Sequence, residues 1–363
     1  MKYYIIAGEA SGDLHASNLQ KEIRKNDPLA EFRGFGGDLM KAQGTHLVRH
    51  YRDLAFMGFI EVIANLRTIL RNIDACKEDI VQWKPDALIL VDYPGFNLRI
   101  APFAKEKGIP VFYYISPQIW AWKQSRVHKI IAGTDKVFCI LPFEKEFYKG
   151  FGYDVEFVGH PLLDAIEQPT EELKLKSDDR KIIAVLPGSR KQEIRTMLPE
   201  MMKVVTEFPQ YRFVVAGAPS QPESFYREIL GESGIEIVFG QTYPLLRSSY
   251  AAVVTSGTAT LETALHNVPE VVCYKGSTIS YHIAKRLVKV KYISLVNLVM
   301  DKEIVRELIQ DDMNSRLIKQ ELNKLLGRDR DQMLQAYAEL KTKLGGSGAS
   351  ARTAEHIKHY LNK

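Results

Sequence analysis

Residues 181–195 read KIIAVLPGSRKQEIR: a β-branched apolar run (Ile182, Ile183, Val185) enters a Pro187-Gly188-Ser189 break, and a segment with helical spacing, led by Arg190, follows. That is a strand, a tight turn and a helix, and the unit recurs along the chain. Residues 3–7 run into Gly8-Glu9-Ala10-Ser11-Gly12-Asp13 and a helix over 14–24. Residues 87–91 run into Asp92-Tyr93-Pro94-Gly95-Phe96-Asn97 and a helical segment over 98–107, and 111–115 into Ser116-Pro117-Gln118-Ile119-Trp120-Ala121-Trp122. Further strands are predicted at 137–141, 155–158, 212–217, 235–239, 252–255 and 271–274. Strands that are apolar throughout must be covered on both faces. The pattern therefore predicts an α/β chain of doubly wound parallel sheets with its working loops at the strand C-termini.

Polar and charged residues dominate 168–180, a linker after which the βα rhythm restarts, so the chain divides into two Rossmann-like halves. Its 363 residues suffice for two cores. A glycine-rich stretch, Gly345-Gly346-Ser347-Gly348, sets off a closing helix over 350–363.

The 49 Lys and Arg against 44 Asp and Glu give a net charge of +5, a mild bias that suits an anionic substrate or an acidic membrane surface rather than nucleic acid. Cys76, Cys139 and Cys273 form no CxxC or Cys/His cluster and read as free thiols in a reducing cytosol. The N-terminus opens on a strand, without the apolar core and cleavage site of a signal peptide, and no apolar run approaches the roughly 20 residues of a membrane span. Any membrane contact is therefore expected to be peripheral. One helix offers it: Phe59, Val62, Ile63, Leu66, Ile69, Leu70 and Ile73 share a face, flanked by Arg67 and Arg71. Two readings stand, a helix packed on the sheet or an interfacial helix whose arginines meet headgroup phosphates.

The turn at Gly188, Ser189 and Arg190 would aim backbone N–H groups, a helix N-terminus and a planar guanidinium at one point, which suits a phosphate; pairing with Glu193 is the structural alternative for Arg190. A second turn, Ser256-Gly257-Thr258, opens a helix that carries Glu262, a carboxylate able to cap the helix or to take two ribose hydroxyls. Neither turn fits GxxxxGK[ST] or GxGxxG, which weighs against ATPases and NAD enzymes. Two phosphate-friendly turns in one half point to a nucleotide diphosphate. Glu9, Asp13 and Asp92 are expected to face the cleft between the halves, as general bases if burial raises a pKa, or as loop and helix caps. His160, before Pro161, reads as a hinge residue.

Taken together, GEASGDLH (8–15), SPQIWAW (116–122), GHPLLD (159–164), LPGSRKQEI (186–194) and SGTATLE (256–262) resemble the lipid-A-disaccharide synthase family, as do Asn297 and VRELIQ (305–310). The resemblance is collinear from the first strand to Gln310. It implies a GT-B glycosyltransferase: an acceptor- and membrane-facing domain over 1–168, a UDP-sugar domain over 169–345, and a helix over 346–363 returning to the first. The family activity joins UDP-2,3-diacylglucosamine to 2,3-diacylglucosamine 1-phosphate with inversion, releasing UDP, at the inner face of the cytoplasmic membrane. By motif, Gly188, Ser189 and Arg190 would hold the pyrophosphate beside Ser256, Gly257 and Thr258; Glu262 would meet the ribose, Gln241 would lie near the uracil, and Asn297 would be a further donor ligand. The acyl chains of both substrates favour the lipid-facing reading of 59–73.

Nothing resembles a DxD motif, so neither metal nor cofactor is expected, and EDTA-sensitive activity would count against this. One position departs from the family pattern, in which this loop often reads Asp-x-Pro-Asp-Phe-Asn and its second aspartate is the favoured base; here that position is Gly95. Asp92 becomes the expected base, with Glu9 and Asp13 next. Two alternatives share the architecture, a UDP-N-acetylglucosamine 2-epimerase and a non-catalytic nucleotide-sugar binder. A homodimer, with the C-terminal helix exchanged or kept, is left open.

Overall fold

The computed structural model describes residues 1–53, 66–121, 124–167, 171–276 and 290–362. It forms two compact units, Met1–Glu167 with Leu344–Lys363, and Gln168–Lys343. The first carries β1 (Lys2–Ala7), β2 (Glu31–Gly36), β3 (His46–His50), β4 (Ala87–Val91), β5 (Val111–Tyr114), β6 (Lys136–Cys139) and β7 (Glu156–Phe157). Their spatial order is β3-β2-β1-β4-β5-β6-β7, every pair parallel. Its helices are α1 (Ala10–Asn26), α2 (Asp38–Ala42), α3 (Leu66–Trp83), α4 (Pro94–Glu106), α5 (Val127–Gly133), α6 (Pro142–Lys149) and α7 (Leu162–Ile166).

The second unit carries β8 (Lys181–Leu186), β9 (Tyr211–Gly217), β10 (Glu236–Phe239), β11 (Ser249–Thr255), β12 (Glu270–Tyr274) and β13 (Arg306–Ile309) in the order β10-β9-β8-β11-β12-β13, again all parallel. Its helices are α8 (Lys191–Met202), α9 (Glu223–Leu230), α10 (Thr242–Ser248), α11 (Thr258–Leu265), α12 (Leu295–Met300), α13 (Ser315–Leu325) and α14 (Arg330–Lys343). The chain closes on α15 (Ala349–Leu361), which belongs to the first unit.

The apolar strands are covered on both sides, as doubly wound sheets require. Tyr4, Ile6, Leu88 and Leu90 enter one core of the first unit, while their chain neighbours Tyr3, Ile5, Ala7, Ala87, Ile89 and Val91 enter the other. In each sheet the order reverses once, between β1 and β4 and between β8 and β11. At such a switch point the loops leaving adjacent strands diverge and leave room for a ligand at the strand C-termini.

GHPLLD proves to be a socket for the C-terminal helix. Asp164 accepts hydrogen bonds from the first backbone N–H groups at α15, Gly348 (2.6 Å), Ala349 (3.2 Å) and Ser350 (2.9 Å), and Arg352 Nε donates to Val158 O at 2.7 Å. Ala354 and Ile357 then pack with Ala16, Leu19 and Ile23 of α1. Gly159 has φ +86 and sits under the Arg352 guanidinium, so any other residue there would be strained. His160 donates its N–H to Leu344 O at 3.0 Å and is buried, with its imidazole pushed down to about 3 by burial and then by neighbouring His15, so it stays neutral.

Of the 59–73 stripe, Phe59, Val62 and Ile63 lie outside the described residues, as does the side chain of Leu66. Ile73 is in the core and Ile69 packs against it, so both face the sheet and neither belongs to a lipid-facing stripe. Arg67, Leu70 and Arg71 are exposed. No described helix is long and apolar enough to cross a membrane. All three cysteines are free and buried.

One buried carboxyl group has no compensation. Glu270, first in β12, is fully buried, and neither carboxyl oxygen has a hydrogen-bond partner among the described residues. Burial drives its pKa well above the usual carboxylate range. An acid with a raised folded-state pKa loses stability as pH climbs past its unfolded value near 4.3. Glu270→Gln, which cannot ionise, is therefore expected to stabilise the second unit at pH 8, with the gain shrinking as pH falls towards 4.5; denaturant unfolding at several pH values reads this, and a pH-independent difference would refute it.

Candidate active site

In the first unit the candidate groups gather where β1 and β4 end side by side, with Ala7 opposite Val91. Asp92 and Tyr93 are successive left-handed residues, with φ of 47° and 49°. Such a conformation costs on the order of 1 kcal/mol or more per non-glycine residue and persists only when held. Two side chains hold it: Tyr113 OH donates to Asp92 O at 2.8 Å and Asn97 Nδ2 to the same oxygen at 2.6 Å. The Tyr93 ring lies over Gly8, where a Cβ would stand 2.2 Å from the ring, so the GEASGD turn needs glycine at its start. The strained turn presents the half-buried Asp92 carboxyl beside Glu9. Burial first, and the Glu9 charge second, raise Asp92 to about 6, with the Tyr93 backbone N–H pulling part of the way back. That suits a general base near neutral pH.

Asp13 does not share this position. Its carboxylate accepts from the backbone N–H groups of Gly37 (2.8 Å), Leu39 (3.0 Å) and Met40 (3.0 Å), so both oxygens are spent capping α2. Glu9 is the exposed N-cap residue of α1 and makes no side-chain cap bond. Gly95, second in α4, is exposed, and a Cβ there would meet nothing within 4 Å.

In the second unit β8 and β11 end side by side, Leu186 opposite Val254, so the Pro187-Gly188-Ser189 and Ser256-Gly257 turns are neighbours. Gly188 has φ +108, and a Cβ on it would stand 3.6 Å from Thr255 Cγ2 and 2.9 Å from Glu193 Oε2. Arg190 is the N-cap residue of α8, and its side chain is 65% exposed. Its NH1 lies 3.5 Å from Glu193 Oε1, while its backbone N–H donates to Oε2 at 3.3 Å. An exposed i,i+3 pair of this kind contributes about 1 kcal/mol at most and exchanges readily for another anion.

Ser256 donates its hydroxyl to Ile293 O at 3.0 Å and its N–H to Cys273 O, which leaves the exposed Gly257 and Thr258 to present outward donors at the start of α11. One turn on, half-buried Glu262 accepts from Tyr243 OH at 2.9 Å. Burial raises the Glu262 pKa and the tyrosine bond holds it back. Two residues expected at the nucleotide are otherwise engaged. Gln241 Oε1 accepts from Lys174 N–H at 3.1 Å. Asn297 is fully buried: its amide donates to Val305 O (2.8 Å) and Glu307 Oε1 (2.9 Å), and its oxygen accepts from Ile304 and Val305 N–H. Asn297 thus clamps α12 to β13, with no donor left for a ligand. Tyr243 was not among the sequence candidates, because nothing in its spacing ties it to a carboxylate 19 residues on.

Two solved structures share this architecture. The glycotransferase of kitacinnamycin matches at TM-score 0.69 and 13% identity over 99% of each chain. The UDP-GlcNAc 2-epimerase from Neisseria meningitidis bound to UDP-GlcNAc matches at 0.65 and 13%, also over 99% of each. At these identities they establish fold alone: two parallel-sheet α/β domains of the GT-B class. Sequence takes the assignment further. The lipid-A-disaccharide synthetase family model matches residues 3–359, and the chain belongs to that family. The lipid-A-disaccharide synthase of Syntrophus aciditrophicus (strain SB) is 42% identical, covering 96% of this chain and 95% of its own length. That of Myxococcus xanthus (strain DK1622) is 39% identical over 98% and 97%. The chain is accordingly a glycosyltransferase of the hexosyl class.

Proposed function

We propose that this chain condenses UDP-2,3-diacylglucosamine with 2,3-diacylglucosamine 1-phosphate, giving the β-1,6-linked disaccharide 1-phosphate and UDP. One observation carries the site assignment: two helix N-terminal turns lie side by side at the second unit's switch point, with Arg190 on one and Glu262 one turn beyond the other. The donor diphosphate would rest on Gly188, Ser189, Arg190, Gly257 and Thr258. Glu262 would take the ribose. Ser256 and Asn297 would shape the turn from beneath, and Gln241 would border the uracil.

In the reaction the acceptor 6-oxygen attacks the donor's anomeric carbon from the face opposite the leaving group. The new C–O bond forms as the bond to the β-phosphate oxygen breaks, UDP leaves with the electron pair, and the 6-hydroxyl proton passes to Asp92. Attack from that face inverts the centre. Arg190 and the two helix N-termini stabilise charge gathering on UDP. Because both substrates carry acyl chains, the start of α3 is assigned to the inner-membrane surface, where exposed Leu70 would meet lipid and Arg67 and Arg71 headgroup phosphates.

A UDP-release assay on vesicles carrying the diacylated donor, with and without the diacylated sugar phosphate, tests the reading. Release is expected only when both are present. Conversion of the donor alone would point to an epimerase, and binding without release to a nucleotide-sugar binder.

A further inference from the structure

We propose that Tyr243 is a positioning residue that sets this enzyme's preference for a ribonucleoside diphosphate, by orienting Glu262 towards the ribose hydroxyls. The inference rests on the assignment of Glu262 to the ribose. Tyr243 stands in the second position of α10, which follows β10, and reaches Glu262 on α11, which follows β11. Its hydroxyl donates to Glu262 Oε1 at 2.9 Å, engaging one of the two carboxylate oxygens and restraining rotation of the group. The ring is itself held, packed against His266 with centroids 5.0 Å apart. His266 in turn is anchored on α11, its Nδ1 2.8 Å from Glu262 O.

A carboxylate must be ionised and correctly turned to accept from two ribose hydroxyls. Burial works against the first requirement and rotation about the Glu262 side chain against the second. The tyrosine hydrogen bond counters both, since it favours the charged form and restricts the rotamer. Among the described residues this corner also holds His266, kept below its ordinary range by burial, with its bond to Glu262 O pulling the other way and Arg247 of α10 and Lys341 of α14 adding to the lowering. The Tyr243 hydrogen bond thus opposes the upward pull of burial on Glu262. Nothing in this arrangement touches the reacting atoms, so the effect belongs to donor binding and not to the bond-breaking step.

The test compares UDP with 2′-deoxy-UDP by calorimetry on the full chain, for the parent, Tyr243→Phe, Glu262→Gln and the double variant. Loss of a hydrogen bond to a charged group predicts that Tyr243→Phe weakens UDP about tenfold. The preference for UDP over the deoxy nucleotide should fall with it, the donor KM should rise, and kcat should stay close to parental. The acid limb of UDP affinity should also move to higher pH. In the Glu262→Gln background the Tyr243→Phe effect should vanish, whereas a general loosening of α10 would weaken binding equally in both backgrounds. If Glu262→Gln weakens UDP but Tyr243→Phe does not, the positioning role is overturned and the ribose assignment stands. If Glu262→Gln binds UDP and its deoxy analogue as the parent does, the ribose assignment itself falls.

Discussion

Replacing Asp92 with asparagine is expected to lower turnover by at least about 100-fold, the low end for loss of a general base, while leaving UDP affinity near parental. Asparagine keeps the size and can keep the Tyr93 backbone bond, so the left-handed turn clamped by Tyr113 and Asn97 should survive. What is lost is the acceptor for the 6-hydroxyl proton. The pH profile carries the sharper signature. A base must be ionised to act, so with Asp92 at about 6 the parent's kcat/KM should be flat above that pH and fall tenfold per unit below it. Glu9→Gln removes the like charge that helps raise Asp92, so its acid limb should move to lower pH with turnover retained. If Glu9→Gln instead abolishes turnover while Asp92→Asn does not, the base is Glu9.

Gly95 supplies a control. It is exposed, and a Cβ there meets nothing within 4 Å, so an aspartate can be installed without displacing a neighbour. Gly95→Asp should leave turnover near parental if Asp92 already serves. A large gain, or full rescue of Asp92→Asn by Gly95→Asp, would move the base to position 95.

The parts of the fold legible in sequence were those whose burial leaves no room for polar residues. β4 is buried at every position and reads as an unbroken apolar run. β2 escaped notice because it carries Arg33, Gly34 and Gly36. Gly34 is required there, since a Cβ would stand 1.9 Å from Ile5 O on the neighbouring strand. β3, an edge strand of His46-Leu47-Val48-Arg49-His50, is only partly covered and looks like a polar loop. The α3 stripe shows a different limit. Helical periodicity found a face containing Ile69, Leu70 and Ile73, yet only the packed structure tells that the isoleucines turn to the sheet and Leu70, 44% exposed, to solvent.

The candidate site was legible to a similar depth. A glycine turn between an apolar strand and a helix announces itself, and adjacency of two such turns follows from strand order. Short polar side chains announce much less. Asp13, beside the first glycine turn, reads as a base and Asn297, through the resemblance alone, as a ligand; they lie on α1 and α12, and their partners are backbone groups of Gly37 and Met40 in one case and Ile304 and Val305 in the other. Whether such a group faces a substrate or a neighbouring chain segment depends on loop paths that no local spacing encodes. The same holds for Tyr243, whose value lies wholly in its contact with Glu262.

Arg190→Ala is expected to lower kcat/KM by about 100- to 1,000-fold, the range for removing one preorganised donor that stabilises leaving-group charge. Arg190→Lys should recover only part of the loss, because a lysine restores charge but not the planar fork that meets two phosphate oxygens. The competing account is that Arg190 merely pairs with Glu193, and the two accounts differ in sign at the partner. If the pair were structural, Arg190→Ala and Glu193→Gln would each cost a little stability, no more than about 1 kcal/mol for an exposed pair, and would affect UDP alike. If Arg190 serves an anion, Glu193 is its competitor. Glu193 Oε2 lies on the Arg190 backbone N–H at the start of α8 and 2.9 Å from where a Gly188 Cβ would stand, so it shares the turn that the diphosphate would use. Neutralising it removes a negative charge from that turn. Glu193→Gln should therefore bind UDP at least as tightly as the parent, and Arg190→Ala should bind it far more weakly with a shallower salt dependence. Equal and small effects of the two substitutions on UDP affinity would return Arg190 to a surface ion pair and leave the switch point without its phosphate ligand.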